Sequence, residues 1–251
     1  VKSVKILNQN YDIMNQIRLF FKISLSLIII WSIASCTQKN TRAAAIKNLK
    51  IIDKPIVWDT LRKRLSLEYI HERHGLTNVR APFITPSMIV VHWTAIPTLN
   101  ASFNTFKPAV LEGREDLQNA SKLNVGIQFL VDRNGTIYRL LPETAFARHV
   151  IGLNHCAIGI ENVGDGDQNK LTEAQFTANV KLIQYLHYKY PIRYVIGHMD
   201  YTKFRNHPLW KETDPNYLTE KSDPGDDWMN RLYKAFPQAG VYGVSRFPKV
   251  E

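Results

Sequence analysis

Ser87-Met-Ile-Val-Val-His-Trp93 is the stretch from which the fold can be predicted. It contains four consecutive apolar residues, three of them β-branched, and a run of this kind is typical of a buried strand. His92 is a polar residue inside that run. We therefore expect a central strand that carries a histidine close to its carboxyl end.

A β-hairpin is predicted further along the chain, around Arg133-Asn134-Gly135. An Asn-Gly pair supplies the positive φ angles that tight hairpin turns need. The flanking segments 125–132 and 136–141 should therefore pair as antiparallel strands.

The remaining elements are predicted from apolar periodicity and from cap residues. They are strands over 157–163 and 193–197, and helices over 59–74, 172–190 and 226–236. Strands and helices that alternate with a hairpin imply an α/β fold of the mixed type, with a central mixed β-sheet flanked by helices.

The N-terminal segment has the pattern of a targeting signal. Arg18 and Lys22 precede the uncharged segment 23–35, which is too short to span a bilayer comfortably. It is followed by Cys36, and Ile33-Ala-Ser-Cys36 resembles a bacterial lipobox. We expect residues 1–35 to be removed and Cys36 to carry lipid. A buried core helix or a plain membrane anchor is the alternative.

These boundaries predict five parts of the chain. They are a lipoprotein signal peptide (1–35), a tether (36–57), an N-terminal helical extension (58–84), a catalytic domain (85–236) and a C-terminal tail (237–251).

Composition excludes several classes of protein. The 251 residues are 45% hydrophobic, with 12 Gly, 12 Pro and only two Cys, which excludes disorder, collagen-like repeats and a disulfide scaffold. The net charge is +10 for the whole chain and about +7 without residues 1–35, which favours an anionic surface or polymer. No Lys/Arg run with interleaved aromatic residues is present, so we expect no nucleic-acid partner. We expect a monomer.

Polar residues with possible chemistry follow the predicted strands. His92 and His198 end two of them, Glu161 lies within a third, and Lys221 and Asp223 lie two apart in an extended segment before Pro224-Gly225. Residues two apart in an extended chain face the same side. Two histidines and one carboxylate are the ligand set of a zinc site that keeps one position open.

Five short motifs resemble, in order, those of the type 2 N-acetylmuramoyl-L-alanine amidases, which share the fold of peptidoglycan recognition proteins. They are His92-Trp-Thr-Ala95, Val131-Asp-Arg-Asn-Gly135, Ile158-Gly-Ile-Glu-Asn162, Gly197-His198 and Lys221-Ser-Asp-Pro-Gly225. Together they extend over about residues 85–236.

The resemblance implies Zn²⁺ bound by His92, His198 and Asp223, and catalytic roles for Glu161 and Lys221. The implied reaction is hydrolysis of the amide between N-acetylmuramic acid and L-alanine in peptidoglycan. Glu161 would act as the general base and Lys221 would stabilise the developing oxyanion. A non-catalytic peptidoglycan-binding module on the same fold is the alternative function.

Four residues are further candidates for contacts with a muropeptide substrate. Thr94 lies in the first motif and Trp210 lies in the long aromatic loop 201–220. The resemblance implies the same role for His149 and Asn154, which lie where the family often has substrate-contacting residues. That loop either forms a wall of the cleft or packs on the domain. With a lipidated Cys36, the protein is expected on the periplasmic face of a bacterial membrane in the cell envelope, with the outer membrane favoured.

Overall fold

The computed structural model describes residues 49–236 and 245–246, which form a six-stranded sheet with helices around it. The strands are β1 (Ile51–Asp53), β2 (Met88–Trp93), β3 (Phe129–Val131), β4 (Ile137–Arg139), β5 (Ala157–Asn162) and β6 (Tyr194–Gly197). The helices are α1 (Thr60–Glu72), α2 (Leu99–Phe106), α3 (Glu115–Gln118), α4 (Glu173–Lys189) and α5 (Asp226–Ala235). A 3₁₀ helix (His198–Phe204) follows β6 directly.

The strand order across the sheet is β1-β4-β3-β5-β2-β6. Strands β3 and β4 pair antiparallel, and the other four pairings are parallel. The predicted fold class, a mixed sheet flanked by helices, is confirmed.

The central strand β2 packs on both faces, as its sequence predicts. Ile89 and Val91 belong to the core cluster that contains residues of α4 and α5. Met88 and Val90 belong to a second cluster that includes residues of the 3₁₀ helix. Because side chains alternate along a strand, His92 lies on the same face as Met88 and Val90.

Local signals in the sequence fix several element boundaries. The Asp59 side chain accepts a hydrogen bond from the Arg62 N–H at 2.8 Å and caps α1. Thr172 and Gln175 form the predicted capping box at the start of α4. The hairpin is confirmed, but of the Asn-Gly pair only Gly135 has the predicted positive φ, at +83°. The Thr136 N–H donates to the side-chain oxygen of Asn134.

The structure corrects the predicted tether. Residues 51–53, assigned to the tether 36–57, form β1 and pair in parallel with β4. Three residues are too few to show a strand period, and their pairing partner lies far along the chain. The first hairpin strand is also shorter than 125–132, because the Gly126 N–H donates to the Arg148 carbonyl instead of a neighbouring strand.

Part of the predicted C-terminal tail packs on the sheet. Ser245 forms a bridge with Tyr194 on the free side of the edge strand β6. Arg246 makes ion pairs with Asp200 in the 3₁₀ helix at 3.0 Å and with Asp226 in α5 at 2.8 Å.

Within residues 49–236, no helix is long and apolar enough to cross a membrane. The predicted signal peptide 1–35 and Cys36 lie outside the described residues.

Candidate metal centre

The sheet topology brings the two predicted histidine ligands together. Strands β2 and β6 are parallel neighbours in which Val91 is paired with Gly197, so His92 and His198 each follow by one residue. The carboxyl ends of parallel neighbours meet at the same edge of the sheet. The two imidazole rings accordingly have centroids 4.4 Å apart.

The extended segment after the aromatic loop carries Asp223 to the same place. The Met199 N–H donates to the Asp223 carbonyl at 2.9 Å, which ties this segment to the start of the 3₁₀ helix. A Cβ on Gly197 would lie 2.9 Å from the Pro224 ring. The glycine therefore permits the close approach that places Asp223 beside His198.

The three side chains form a compact donor set. One oxygen of Asp223, Oδ2, lies 3.3 Å from Nδ1 of His92 and 3.1 Å from Nδ1 of His198. The three potential ligand atoms all lie within 4.8 Å of one another, and all three residues are buried. Two ligand atoms bound to one tetrahedral zinc at usual bond lengths are about 3.4 Å apart. The donor set therefore fits zinc in both chemistry and spacing.

The charges within this group are strongly coupled. Burial, with a smaller contribution from the neighbouring His198, lowers the pKa of His92 to about 4, although Asp223 opposes the shift. Burial alone would raise the pKa of Asp223, but the two histidines reverse the effect and hold it well below its usual range. The group thus presents neutral His92 and an ionised carboxylate near neutral pH, the protonation states in which both bind metal.

Glu161 lies beside the metal centre on the next strand. It is directly paired with His92 in the parallel register of β2 and β5, so both side chains leave the same face of the sheet. Its Oε2 is buried and accepts no hydrogen bond within the described part of the chain. Burial and the nearby Asp223 raise the pKa of Glu161 well above its ordinary value, against the opposing effect of Lys221.

These groups border one open cavity of about 360 Å³. His92, His198, Asp223, Glu161 and Lys221 all line it. The structure therefore brings together in one cleft the five residues predicted as zinc ligands or catalytic groups.

Thr94 and Asn154, two of the predicted substrate contacts, also line the cleft, and their side chains make hydrogen bonds to its backbone. The Thr94 hydroxyl donates to the Ile96 carbonyl at 2.9 Å. The Asn154 side-chain oxygen accepts the backbone N–H groups of His149 and Val150 at 2.9 and 2.8 Å. The Asn154 Nδ2 is buried and has no hydrogen-bond partner within the described residues.

The other two predicted contacts lie in different surroundings. His149 borders the cavity with its ring against His92, at 3.1 Å between Nδ1 and the His92 Nε2. Trp210 stacks on Tyr201 with centroids 6.0 Å apart and packs against the second core cluster. Tyr217 and Thr219, rather than Trp210, carry the aromatic loop to the cavity wall.

Sequence reasoning missed several residues of the cleft wall. Tyr69 in α1, Thr105 in α2 and Arg114 before α3 border the same cavity. Helices α2 and α3 were not predicted, and which distant elements meet at one cleft wall depends on the tertiary fold.

The fold and the site define a class, an α/β protein with a buried two-histidine, one-aspartate metal centre at the carboxyl edge of a mixed sheet. The chain belongs to the N-acetylmuramoyl-L-alanine amidase family, whose model matches residues 82–226.

The chain is also similar to individual proteins, over part of its length. An endolysin of Enterobacteria phage T3 is 33% identical over 97 residues, which cover 38% of this chain and 60% of that relative. The chain thus matches about 60% of the length of this curated relative.

The chain is also similar to solved structures. The match to the N-acetylmuramoyl-L-alanine amidase LysC from Clostridium intestinale has a TM-score of 0.48 and 22% sequence identity. It covers 75% of this chain and 97% of the LysC chain. Human PGRP-IβC in complex with a glycosamyl muramyl pentapeptide has a TM-score of 0.45 at 17% identity, covering 66% and 90%.

Proposed function

We propose that this protein is a zinc-dependent N-acetylmuramoyl-L-alanine amidase that acts on peptidoglycan. The observation that carries the proposal is the convergence of His92, His198 and Asp223 on one point of a cleft, with Glu161 in direct register with His92. Family membership supplies the class of bond, the amide between the lactyl group of N-acetylmuramic acid and L-alanine.

His92, His198 and Asp223 would hold the zinc ion. When bound there, zinc supplies Lewis acidity, which acidifies water and polarises a carbonyl oxygen. An ordinary amide is a poor electrophile and neutral water is a poor nucleophile, so hydrolysis at neutral pH needs both effects.

Glu161 would move the proton. Its buried carboxylate accepts a proton from the attacking water as the C–O bond forms, and then donates it to the departing amine nitrogen as the C–N bond breaks. The products are the free lactyl carboxylic acid and a stem peptide with an L-alanine amino terminus. The raised pKa of Glu161 favours the protonated form that donates to the amine in the second step, and the charge of Lys221 opposes the shift and so favours the carboxylate that accepts the proton in the first step.

Lys221 supplies positive charge at the same cleft. A fixed cation near the carbonyl oxygen stabilises the negative charge that develops there as the tetrahedral species forms. Its main effect should therefore appear in turnover rather than in substrate binding.

The test is mass spectrometry of the products after the full chain, loaded with zinc, acts on purified sacculi. We expect free stem peptides that begin with L-alanine, and their loss after treatment with EDTA. Sacculi that remain intact while the protein sediments with them would overturn the amidase proposal and favour a peptidoglycan-binding module.

We also propose that Cys36 carries a lipid that anchors the protein in the cell envelope, at the periplasmic face of a bacterial membrane and most favourably the outer membrane. The support is the sequence alone, namely the basic, apolar and small-residue regions that precede this cysteine. Labelling with a palmitate analogue in a bacterial host should mark the wild-type protein and fail with Cys36→Ala. Equal labelling of both would overturn the anchor.

A further inference from the structure

A third histidine lies directly behind one of the proposed zinc ligands. Nε2 of His92 is 3.1 Å from Nδ1 of His149, and Nε2 of His149 is 3.3 Å from the carbonyl oxygen of Ala157 in β5. The two rings are nearly perpendicular, with centroids 5.2 Å apart. His92, His149 and the Ala157 carbonyl therefore form a chain of hydrogen bonds that ends on the backbone of β5.

The carbonyl group at the end of this hydrogen-bond chain determines which ring nitrogens carry hydrogen. A carbonyl oxygen only accepts hydrogen bonds, so Nε2 of His149 must carry its hydrogen. In neutral His149 the other nitrogen, Nδ1, is then an acceptor, and it requires a hydrogen on Nε2 of His92. The Nδ1 of His92 is left with a lone pair, and this atom faces Asp223 at 3.3 Å.

We propose that His149 is a positioning residue that fixes His92 in the tautomer and ring orientation in which its Nδ1 can bind zinc. This inference rests on the metal centre of the proposed function. It assigns His149 an action through His92, which differs from a direct contact with substrate.

The surroundings of His149 hold its ring in place. Its backbone N–H and that of Val150 both donate to the Asn154 side-chain oxygen, which fixes the turn. A Cβ on Gly159 would lie 3.0 Å from the His149 ring and 2.0 Å from the Ile127 side chain. Strand β5 therefore has a glycine where the ring must lie against the sheet.

A contact with substrate is the competing role, because the ring also borders the cavity. The two roles differ in a measurable way. A positioning residue alters the affinity for metal when no substrate is present, whereas a substrate contact alters KM and leaves the metal affinity unchanged.

The experiment compares the wild-type chain with His149→Leu, His149→Gln and His155→Leu. Leu removes both hydrogen bonds, whereas Gln keeps one acceptor and a donor and should restore part of the function. His155 is the matched control, since it is another largely enclosed histidine, and its ring lies against His74 rather than His92.

Zinc affinity is measured without substrate by competition with a chelator, and the ligand field is measured from the visible spectrum of the Co²⁺-loaded protein. Circular dichroism establishes that each variant is folded under these conditions. We expect His149→Leu to bind zinc about 10- to 100-fold more weakly, with an altered Co²⁺ spectrum. His149→Gln should recover part of this loss, and His155→Leu should match the wild type.

A His149→Leu variant that is folded and binds zinc within threefold of the wild type, with an unchanged Co²⁺ spectrum, would overturn the inference while leaving the proposed function intact. A raised KM in that variant would then indicate the substrate contact. A wild-type chain that binds neither zinc nor cobalt would overturn the proposed function and this inference together.

Discussion

Replacing Glu161 with glutamine tests the proposed proton transfer with little disturbance of the fold. The glutamine has almost the same shape, and Oε2 of Glu161 has no hydrogen bond within the described residues to lose. The change also removes a carboxylate whose ionisation burial disfavours. We therefore expect the variant to be at least as stable as the wild type, and to keep its zinc because Glu161 is outside the donor set.

Turnover should nevertheless fall steeply. A positioned general acid–base group contributes about 10²- to 10⁴-fold to rate, which corresponds to about 2.7–5.4 kcal/mol of the activation barrier. Only the transfer of the proton is removed, so KM should change much less than kcat.

The assay pairs two measurements on the same samples, stem-peptide release by liquid chromatography with mass spectrometry and zinc content by plasma emission. Glu143→Gln is the matched control, because Glu143 is a comparably buried carboxylate that binds Lys189, Tyr185 and Tyr190 away from the cleft. It should keep full activity. A zinc-loaded Glu161→Gln protein with a rate within threefold of the wild type would refute the reasoning.

Three further predictions concern the cleft and its support. Lys221→Met should lower kcat by about 10²- to 10³-fold with little change in KM in steady-state kinetics; an effect confined to KM would contradict the oxyanion role. Gly152→Ala should lower the free energy of unfolding, measured by chemical denaturation, by about 1–3 kcal/mol. Gly152 has a φ of +74°, and an added Cβ would lie 2.7 Å from the Trp210 ring. Unchanged stability would contradict that contact. Burial would raise the pKa of Glu143, but hydrogen bonds from Lys189, Tyr190 and Tyr185 lower it overall. Its stabilisation is therefore present above the unfolded pKa of about 4.3 and is lost as the pH falls through the lower folded value. The stability difference between wild type and Glu143→Gln should thus be largest near pH 7 and shrink below about pH 4, and a difference that grows on acidification would contradict this sign.

The elements with strong local signals were predictable from the sequence. The apolar run that forms β2, the capping box at Thr172 and the Asn-Gly turn each depend on residues that are neighbours in the chain. Strand β1 had no such signal, because its three residues are defined by their pairing with β4. Helix α2 was missed although Thr98 caps it and Leu99, Phe103 and Phe106 follow helical spacing, because its eight residues are too few for that spacing to repeat.

The candidate site shows the same division. Motif order alone selected His92, Glu161 and His198 from the polar residues of the chain. The pairing of His92 with Glu161 depends on which strands are adjacent and on their register. Neither the strand order nor the register can be predicted from the local sequence. The hydrogen-bond chain through His149 also depends on the backbone of a neighbouring strand, so His149 could be picked out by position but its surroundings could not be foreseen.

The bridge between Ser245 and β6 also bears on how copies of the protein behave toward one another. Strand β6 is the last strand of the sheet, and Ser245 covers part of its outer side. Unpaired strand edges act as templates for the addition of strands from other molecules. A chain that lacks residues 237–251 would lose this cover and should self-associate more readily. We therefore expect Ser245 to limit aggregation at this edge, while Arg246 pairs with Asp200 in the 3₁₀ helix and with Asp226 in α5.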